Sequence, residues 1–269
     1  MIEIKDNELR VLFIGDIVGE AGRDAIGALV ADLVKEHRAD FIIANCENSA
    51  GGKGVTPKIT EYLLGCGIDV LTSGNHIWDR QEIIPYIGTQ PRLLRPANFP
   101  KSNPGVGFGV FKTRKGERIG VINLCGKLFM DFYEHPFLYA SFLVEKLREQ
   151  THLIIVDFHA EATSEKVAMG WYLDGKVSAV IGTHTHVQTA DEKVLPEGTA
   201  YITDVGMTGP MDSVIGMDKE KAINKFLTLI PQKFEPARDD VWLHGVVVDL
   251  DIESGRSLEI KRIAVPIER

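Results

Sequence analysis

A pair of histidines, His184 and His186, stands two residues apart directly after a short apolar run at 177–181. In an extended segment residues i and i+2 face the same side, so both imidazoles could reach one point in space. Histidine is the commonest nitrogen ligand for first-row metals, which makes this pair a candidate for a metal site. Two nearby histidines often mark only a polar strand end, so the prediction depends on further ligands elsewhere.

Other residues of metal-ligand type follow other apolar runs that read as buried strands. Taken singly, each has a plain structural interpretation as a helix cap, a turn residue or a surface histidine. Taken together they indicate a site, because the carboxyl ends of strands in an α/β sheet meet at one edge. The candidates are Asp16, Glu47, Asn48, Asn75, His76, His159, His184 and His186.

This cluster exceeds what a single metal ion needs. Two metals about 3.5–4 Å apart, sharing a carboxylate and a hydroxide, are the usual arrangement for hydrolysing phosphate esters. The cluster therefore favours a dinuclear centre with oxygen and nitrogen donors. Cys46 adjoins Glu47 in the sequence but reads as a small buried hydrophobe, and we leave it out of the ligand set.

The elements that must position these residues alternate between strands and helices. Short runs rich in β-branched and aromatic residues predict strands at 11–14, 41–44 and 68–71. Apolar residues at helical spacing predict a helix over 25–34, and Thr56 with Pro57 predicts the start of another that continues to about Leu64. This order implies βαβ units and a largely parallel, buried sheet.

The middle and the end of the chain follow a different pattern. Runs at 106–111 and 118–124 predict an antiparallel hairpin, which makes the sheet mixed. The remaining pattern predicts helices at 136–149 and 164–171 and strands at 153–156, 177–181, 194–195 and 199–201. In the tail, at 241–250 and 258–265, apolar and polar residues alternate, which predicts edge strands or strands of a second sheet. No repeat, low-complexity tract or linker divides the chain, so residues 1–269 are predicted to form one domain.

Composition limits the class of protein. The chain of 269 residues is 44% hydrophobic and carries a formal net charge of −8, which argues against broad binding to nucleic-acid backbones. A small anionic substrate stays compatible, because bound dications can dominate the local potential. Residues 1–10 do not resemble a signal peptide, no apolar run is long enough to span a bilayer, and three scattered cysteines fit a reducing compartment. We expect a cytoplasmic protein with no membrane partner.

The motifs resemble those of a known family. In order and spacing, Gly15-Asp16, Glu47-Asn48, Gly74-Asn75-His76, His159 and 182–186 are similar to the calcineurin-like metallophosphoesterases, and most of all to their YmdB-like bacterial branch. The match covers nearly the whole chain, including 47–54 and 203–209. Two departures from the wider superfamily, the absence of a histidine after Asp16 and Glu47 in place of a bridging aspartate, are shared with that branch. The resemblance implies an α/β layered sandwich with mixed, largely parallel β-sheets flanked by helices.

The resemblance also implies roles for the candidate residues. Metal 1 would be held by Asp16, Glu47, Asn48 and His186, and metal 2 by Glu47, Asn75, His159 and His184, with iron or manganese as the metals. His76 would be the general acid rather than a ligand. The implied activity is hydrolysis of a small nucleotide phosphodiester, with 2′,3′-cyclic nucleotides favoured, by attack of a metal-bridging hydroxide.

Several alternatives stay open at this point. The same ligands would serve a phosphomonoesterase, a nuclease, or a regulatory protein that binds a nucleotide with negligible turnover. Oligomeric state is also open, since the tail strands could supply a homo-oligomer interface. The loop 51–54 could contact phosphate or be a flexible turn, and 203–209 could form a wall of the pocket. Trp78 and Trp171 could stack on a base, but aromatic residues beside apolar segments are usually core.

Overall fold

A computed structural model describes residues 7–131 and 134–268 of the chain. Residues 1–6 of the polar start, and the first and last residues of the predicted domain 1–269, lie outside the described part. The helices described are α1 (Gly19–His37), α2 (Pro57–Gly65), α3 (Ile83–Ile87), α4 (Pro136–Arg148), α5 (Thr163–Leu173) and α6 (Lys219–Thr228). The strands described are β1 (Glu8–Ile14), β2 (Asp16–Ile17), β3 (Phe41–Asn45), β4 (Val70–Thr72), β5 (Phe108–Lys112), β6 (Arg118–Cys125), β7 (Ile154–His159), β8 (Ala179–Thr183), β9 (Lys193–Val194), β10 (Ala200–Ile202), β11 (Met207–Pro210), β12 (Val241–Asp251) and β13 (Ser257–Pro266).

These strands form two mixed sheets. The first sheet has the order β2-β11-β12-β1-β3-β4, with β13 paired to the other side of β12. The second sheet has the order β5-β6-β7-β8-β10-β9. Within each sheet the strands that end at candidate ligands run parallel to one another: β1, β3 and β4 in the first, β7 and β8 in the second. Their carboxyl ends therefore point the same way within each sheet.

The two sheets face each other across a shared core, and helices cover their outer faces. One apolar cluster joins Phe13 and Val11 of the first sheet to Val121 and Ile155 of the second. A second cluster packs the other face of the first sheet against α1, α2 and α3, and a third packs the second sheet against α4 and α5. The predicted α/β layered sandwich with helices outside is confirmed.

Strand β1 shows how the sequence divides its side chains between these layers. Val11 and Phe13 lie in the core between the sheets, while Leu12 and Ile14 lie in the cluster beneath the helices. Successive residues of a strand point to opposite faces, so a strand covered on both sides reads as a continuous apolar run. The end of this run brings Asp16 to the edge of the sheet.

Most predicted elements are confirmed within a few residues. The hairpin of β5 and β6 is antiparallel, and so is the pair β9 and β10. The prediction for the tail is wrong in one respect, because β12 is an interior strand that pairs with β1 and β11 along one side and β13 along the other. Alternation along β12 cannot show how many neighbours it pairs with. Helices α3 and α6 and the short strands β2 and β11 lie outside the predictions.

Within the part of the chain that the structure describes, no helix is both long and apolar enough to cross a membrane.

Helix α2 offers a test of local stability. Its N-cap Thr56 accepts a hydrogen bond from the backbone N–H of Ile59 at 3.2 Å, and Pro57 occupies the first helical turn. We expect Thr56→Ala to lower the free energy of unfolding by about 1 kcal/mol, because the N–H loses its partner. The control is Lys58→Ala, at an exposed position of the same helix. Equal stability of the two variants in urea denaturation would contradict the capping role.

Candidate metal centre

The structure brings all eight predicted site residues together between the carboxyl ends of strands from both sheets. The sequence reasoning placed them along one sheet edge; the strands in fact belong to two sheets, and the cluster lies where the two edges meet. Sequence periodicity does not reveal this division. The residues are Asp16, Glu47, Asn48, Asn75, His76, His159, His184 and His186, and each contacts at least one other member.

The most telling feature is the crowding around Nε2 of His159. That nitrogen lies 3.0 Å from Glu47 Oε1, 3.2 Å from Asn75 Oδ1 and 3.0 Å from His184 Nδ1. One ring nitrogen carries at most one proton, so it cannot donate to all three neighbours. A cation among these four atoms would accept lone pairs from every one of them. Glu47, His159 and His184 also place one ligand atom each within 4.8 Å of one another.

A second group of donors lies around Asp16 and His186. Asp16 is fully buried, and its Oδ1 has no hydrogen-bond partner. The same oxygen is 3.8 Å from His186 Nε2, and the Asn48 amide is 3.1 Å from that nitrogen. An orphaned carboxylate oxygen without a cation is costly to bury, and burial raises the pKa of Asp16. The residues therefore fit a metal ion here as well.

Glu47 contacts a member of each group, His159 and Asn48. Burial opposes its ionisation, but the charge and hydrogen bond of His159 and the contacts with His76 outweigh burial and lower the pKa of Glu47 to about 2. Its Oε1 accepts from the Asn48 amide at 3.2 Å and its Oε2 accepts from the backbone N–H of His76 at 3.0 Å. The carboxylate therefore contacts residues of both groups and of the His76 turn.

The donor set itself selects among metals. Burial and the nearby Glu47 charge raise the pKa of Cys46, so the adjacent thiol stays protonated and the predicted exclusion of this residue is consistent with the structure. Burial, with the charge of His159, lowers the pKa of His184 to about 3, which leaves its imidazole neutral and able to donate a lone pair. Neutral imidazoles with carboxylate and amide oxygens are a borderline-to-hard set.

His159 is oriented by a buried relay behind it. Its Nδ1 lies 2.9 Å from Thr183 Oγ1, and that hydroxyl donates to Asp157 Oδ1 at 2.7 Å. Because the hydroxyl proton goes to Asp157, the Thr183 oxygen accepts from Nδ1–H of His159. With Nδ1–H directed at Thr183, Nε2 is the ring nitrogen that faces the candidate ligands. Burial opposes protonation, but the charges of Glu47 and Asp16 outweigh it and raise the pKa of His159 to about 9, so a metal at Nε2 would displace a proton there. Asp157 also accepts from the Asn45 amide at 3.0 Å, and burial raises the pKa of Asp157 to about 6.

The turn that carries His184 and His186 is held by a buried ion pair. Both histidines have positive φ, 103° and 64°, a conformation that costs free energy for residues other than glycine. Asp204 Oδ2 accepts from the backbone N–H of Thr185 at 2.9 Å and from Lys166 Nζ at 2.6 Å. The segment 203–209, which includes the start of β11, thus supports the turn from behind, and none of its residues is among those that line the cavity described below.

His76 lies beside the ligands and is not one of the groups crowded around His159. Its Nδ1 is 3.1 Å from Asp79 Oδ2, and 25% of its side-chain surface is exposed. With Nδ1 engaged by a carboxylate, Nε2 is the ring nitrogen available to exchange a proton with a bound molecule.

A cavity of about 450 Å³ opens over the ligand cluster. Sequence reasoning missed several of its lining residues. Glu161 has no motif to mark it, although its carboxylate lies 3.0 Å from His184 Nε2. The cavity is lined by Glu47, Asn48, Gly52, Lys53, His76, Glu161, His184, Thr185, His186, Val214, Ile215, Met217, Ala222, Lys225, Phe226 and Phe234.

The structure also shows where the loop 51–54 and the two tryptophans lie relative to the cavity. Lys53 and Gly52 face the cavity, on a loop whose Lys53 carbonyl accepts from Arg80 Nε at 3.1 Å. Trp78 packs against the core as expected. Trp171 is 53% exposed, so the expectation that it belongs to the core is wrong. Neither tryptophan is among the lining residues of the cavity described above.

Comparison with known proteins agrees with this geometry. The sequence model of the YmdB-like protein family matches residues 12–263. The 2′,3′-cyclic-nucleotide 2′-phosphodiesterase of Bacillus subtilis (strain 168) is 49% identical over 257 residues, covering 96% of this chain and 97% of its own. A crystal structure of a novel phosphatase from Mycoplasma pneumoniae superposes with a TM-score of 0.91 at 37% identity, over 97% of this chain and 94% of its own.

A crystal structure of a hypothetical protein from Thermus thermophilus matches equally well, with a TM-score of 0.90 and 40% identity, over 97% of this chain and 100% of its own. The match with the family extends from β1 to β13 and includes every residue of the ligand cluster. This chain belongs to the YmdB-like protein family.

Proposed function

We propose that this protein is a metal-dependent phosphodiesterase that hydrolyses small nucleotide phosphodiesters, with 2′,3′-cyclic nucleotides as its substrates. The observation that carries the proposal is the crowding of Glu47, Asn75 and His184 around Nε2 of His159, beside the His76–Asp79 pair. The activity named for the Bacillus subtilis relative, at 49% identity, supports the choice of substrate.

The proposed centre would take two metal ions, iron or manganese. Asp16, Glu47, Asn48 and His186 would hold metal 1, and Glu47, Asn75, His159 and His184 would hold metal 2, with Glu47 common to both. The contact of Glu47 with His159 at 3.0 Å and that of Asp16 with His186 at 3.8 Å support these two sets. As a ligand, Asn48 would present its amide oxygen Oδ1 in place of the Nδ2 that lies near His186 here.

Residues of the chain donate the proton that the leaving group needs and hold the proton donor in position. When bound, the metals would activate water and neutralise charge on the phosphoryl oxygens. His76 donates its proton to the departing alkoxide, which is a poor leaving group without protonation. Asp79 accepts from Nδ1–H of His76 and so holds the protonated ring in place. The backbone hydrogen bond from His76 to Glu47 fixes the distance between the acid and the ligand cluster.

We also propose that residues 1–269 form a single domain and that the protein works in the cytoplasm. A core shared by both sheets supports the first, and three free cysteines support the second. The substrate is the partner the site requires; the net charge of −8 gives no basis for a stable nucleic-acid partner, and we assign no membrane partner. A homo-oligomer stays a prediction.

Replacing the proposed acid tests the mechanism. In His76→Ala we expect the rate of 2′,3′-cyclic AMP hydrolysis by manganese-loaded protein to fall by roughly 10²–10⁴-fold, because the leaving alkoxide loses its proton donor. Metal content should equal that of the wild type, because His76 is not a ligand. The control is His135→Ala, at an exposed histidine outside the cavity. Full activity in His76→Ala would contradict the assigned role, and no turnover by the loaded wild type would contradict the substrate.

Replacing Asp16 tests the two-metal assignment. Asp16 is the only charged ligand that belongs to metal 1 alone, so we expect Asp16→Asn to weaken that site by on the order of tenfold or more. Elemental analysis after dialysis should then find a loss of one metal ion per chain. Asp24→Asn, at an exposed position on α1, serves as the control. Unchanged metal stoichiometry and activity in Asp16→Asn would rule out its role as a ligand.

A further inference from the structure

One wall of the cavity comes from a segment that no motif marks, residues 211–236. It is joined to the metal centre through His186, whose Nδ1–H donates to the carbonyl oxygen of Ile215 at 2.9 Å. Ile215 itself has a φ of 48°, which is rare for a β-branched residue, and its side chain is 52% exposed. Backbone strain of this kind persists where surrounding contacts impose it, and it clusters at ligand-binding sites.

The wall is a built structure rather than a loose loop. Met217 forms isolated β-bridges with Val214 and Pro236, and the backbone N–H of Asp218 donates to the Glu235 carbonyl at 2.9 Å. Asp218 also caps helix α6, its Oδ1 accepting from the Lys221 backbone at 2.9 Å. These bonds join both ends of the segment and fix α6 over the cavity.

Helix α6 presents an aromatic ring to the cavity. Ala222, Lys225 and Phe226 line it together, and their spacing of three and four residues places them on one face of the helix. Phe226 is 76% exposed although it lines a cavity beside buried ligands. Phe234 lines the same wall, with Lys225 Nζ 4.8 Å from the centre of its ring. An aromatic ring left this exposed next to a polar centre has a face free for a flat ligand.

The lining of the cavity combines two kinds of surface. One is the cluster of carboxylate and imidazole groups suited to metals that bind a phosphoryl group, with His76 beside them. The other is apolar and comes from the 211–236 wall: Phe226, Phe234 and Ile215, the last joined to the first surface through its carbonyl bond to His186. A volume of about 450 Å³ is within the usual range for small-molecule sites. A nucleotide has this same division, with an anionic phosphate at one end and a flat aromatic base at the other.

We propose that Phe226, with Phe234 and Ile215, forms a nucleobase subsite that positions the base of a nucleotide substrate while its phosphate lies at the metal centre. The subsite rests on the proposed function, and it would explain why the enzyme prefers nucleotides. Stacking on an aromatic ring is tolerant of base identity, because every base has a π-face. The subsite therefore selects nucleotides over other phosphodiesters without selecting one base by hydrogen bonds.

The test compares two ligands on manganese-loaded protein by isothermal titration calorimetry. Adenosine 3′-monophosphate carries a base, while glycerol 2-phosphate offers a secondary alkyl phosphate without one. We expect the wild type to bind the nucleotide at least about tenfold more tightly, and Phe226→Ala to lower that preference by about tenfold, since one stacking contact is lost. Phe226→Tyr keeps the ring and should keep the preference. Leu227→Ala is the matched control, at a neighbouring position that is 79% exposed and does not line the cavity.

The outcomes separate this subsite from the proposed activity. Equal affinity of the wild type for both ligands, or an equal loss of preference in Leu227→Ala and Phe226→Ala, would overturn the subsite. An unchanged preference in Phe226→Ala would overturn it too. If that variant also had a smaller molecular mass in light scattering, the ring would pack against a second copy of the chain instead. Hydrolysis of 2′,3′-cyclic AMP without a nucleotide preference would leave the activity standing and the subsite refuted. If Phe226→Ala loses the preference but the wild type does not hydrolyse 2′,3′-cyclic AMP, the subsite stands and the proposed activity is refuted.

Discussion

The structure depends on the burial of more metal-ligand atoms than their own protons can satisfy. Asp16, Glu47 and His159 have no exposed surface, yet Asp16 Oδ1 lacks a partner and His159 Nε2 faces three competing neighbours. Burying charged and polar groups in this way costs free energy unless cations compensate for it. Metal binding would therefore contribute directly to the stability of the folded chain.

The surrounding fold keeps these groups in place. The relay through Asp157 and Thr183 fixes the ring of His159, and the Lys166–Asp204 pair supports the turn that carries His184 and His186. Both supports are buried and come from strands of the second sheet, from α5 and from the loop after β10. Asp16 and Glu47 come from the first sheet, so the core packed between the sheets sets the distance between the two halves of the centre.

The sequence was sufficient to find the candidate ligands and most of the elements that carry them. Apolar runs ending in polar residues located β1, β3, β4, β7 and β8, because strands buried on both faces leave that pattern. The pattern could not divide these strands between two sheets or place β12 in the interior, since pairing partners leave no local trace. Glu161 stayed hidden because a lone carboxylate has no signature. Helix α6 has apolar residues at helical spacing, Ala222, Ile223, Phe226 and Leu227, but the last three are exposed, so this helix does not contribute to the buried core that such a pattern usually indicates.

We propose that Glu47 joins two metal ions held by the strand ends of both sheets, and anomalous diffraction from crystals of the manganese-loaded protein would locate them. We expect two anomalous peaks per chain next to the Glu47 carboxylate, the first near Asp16 and His186 and the second near His159 and His184. A single peak, or peaks away from Glu47, would contradict it.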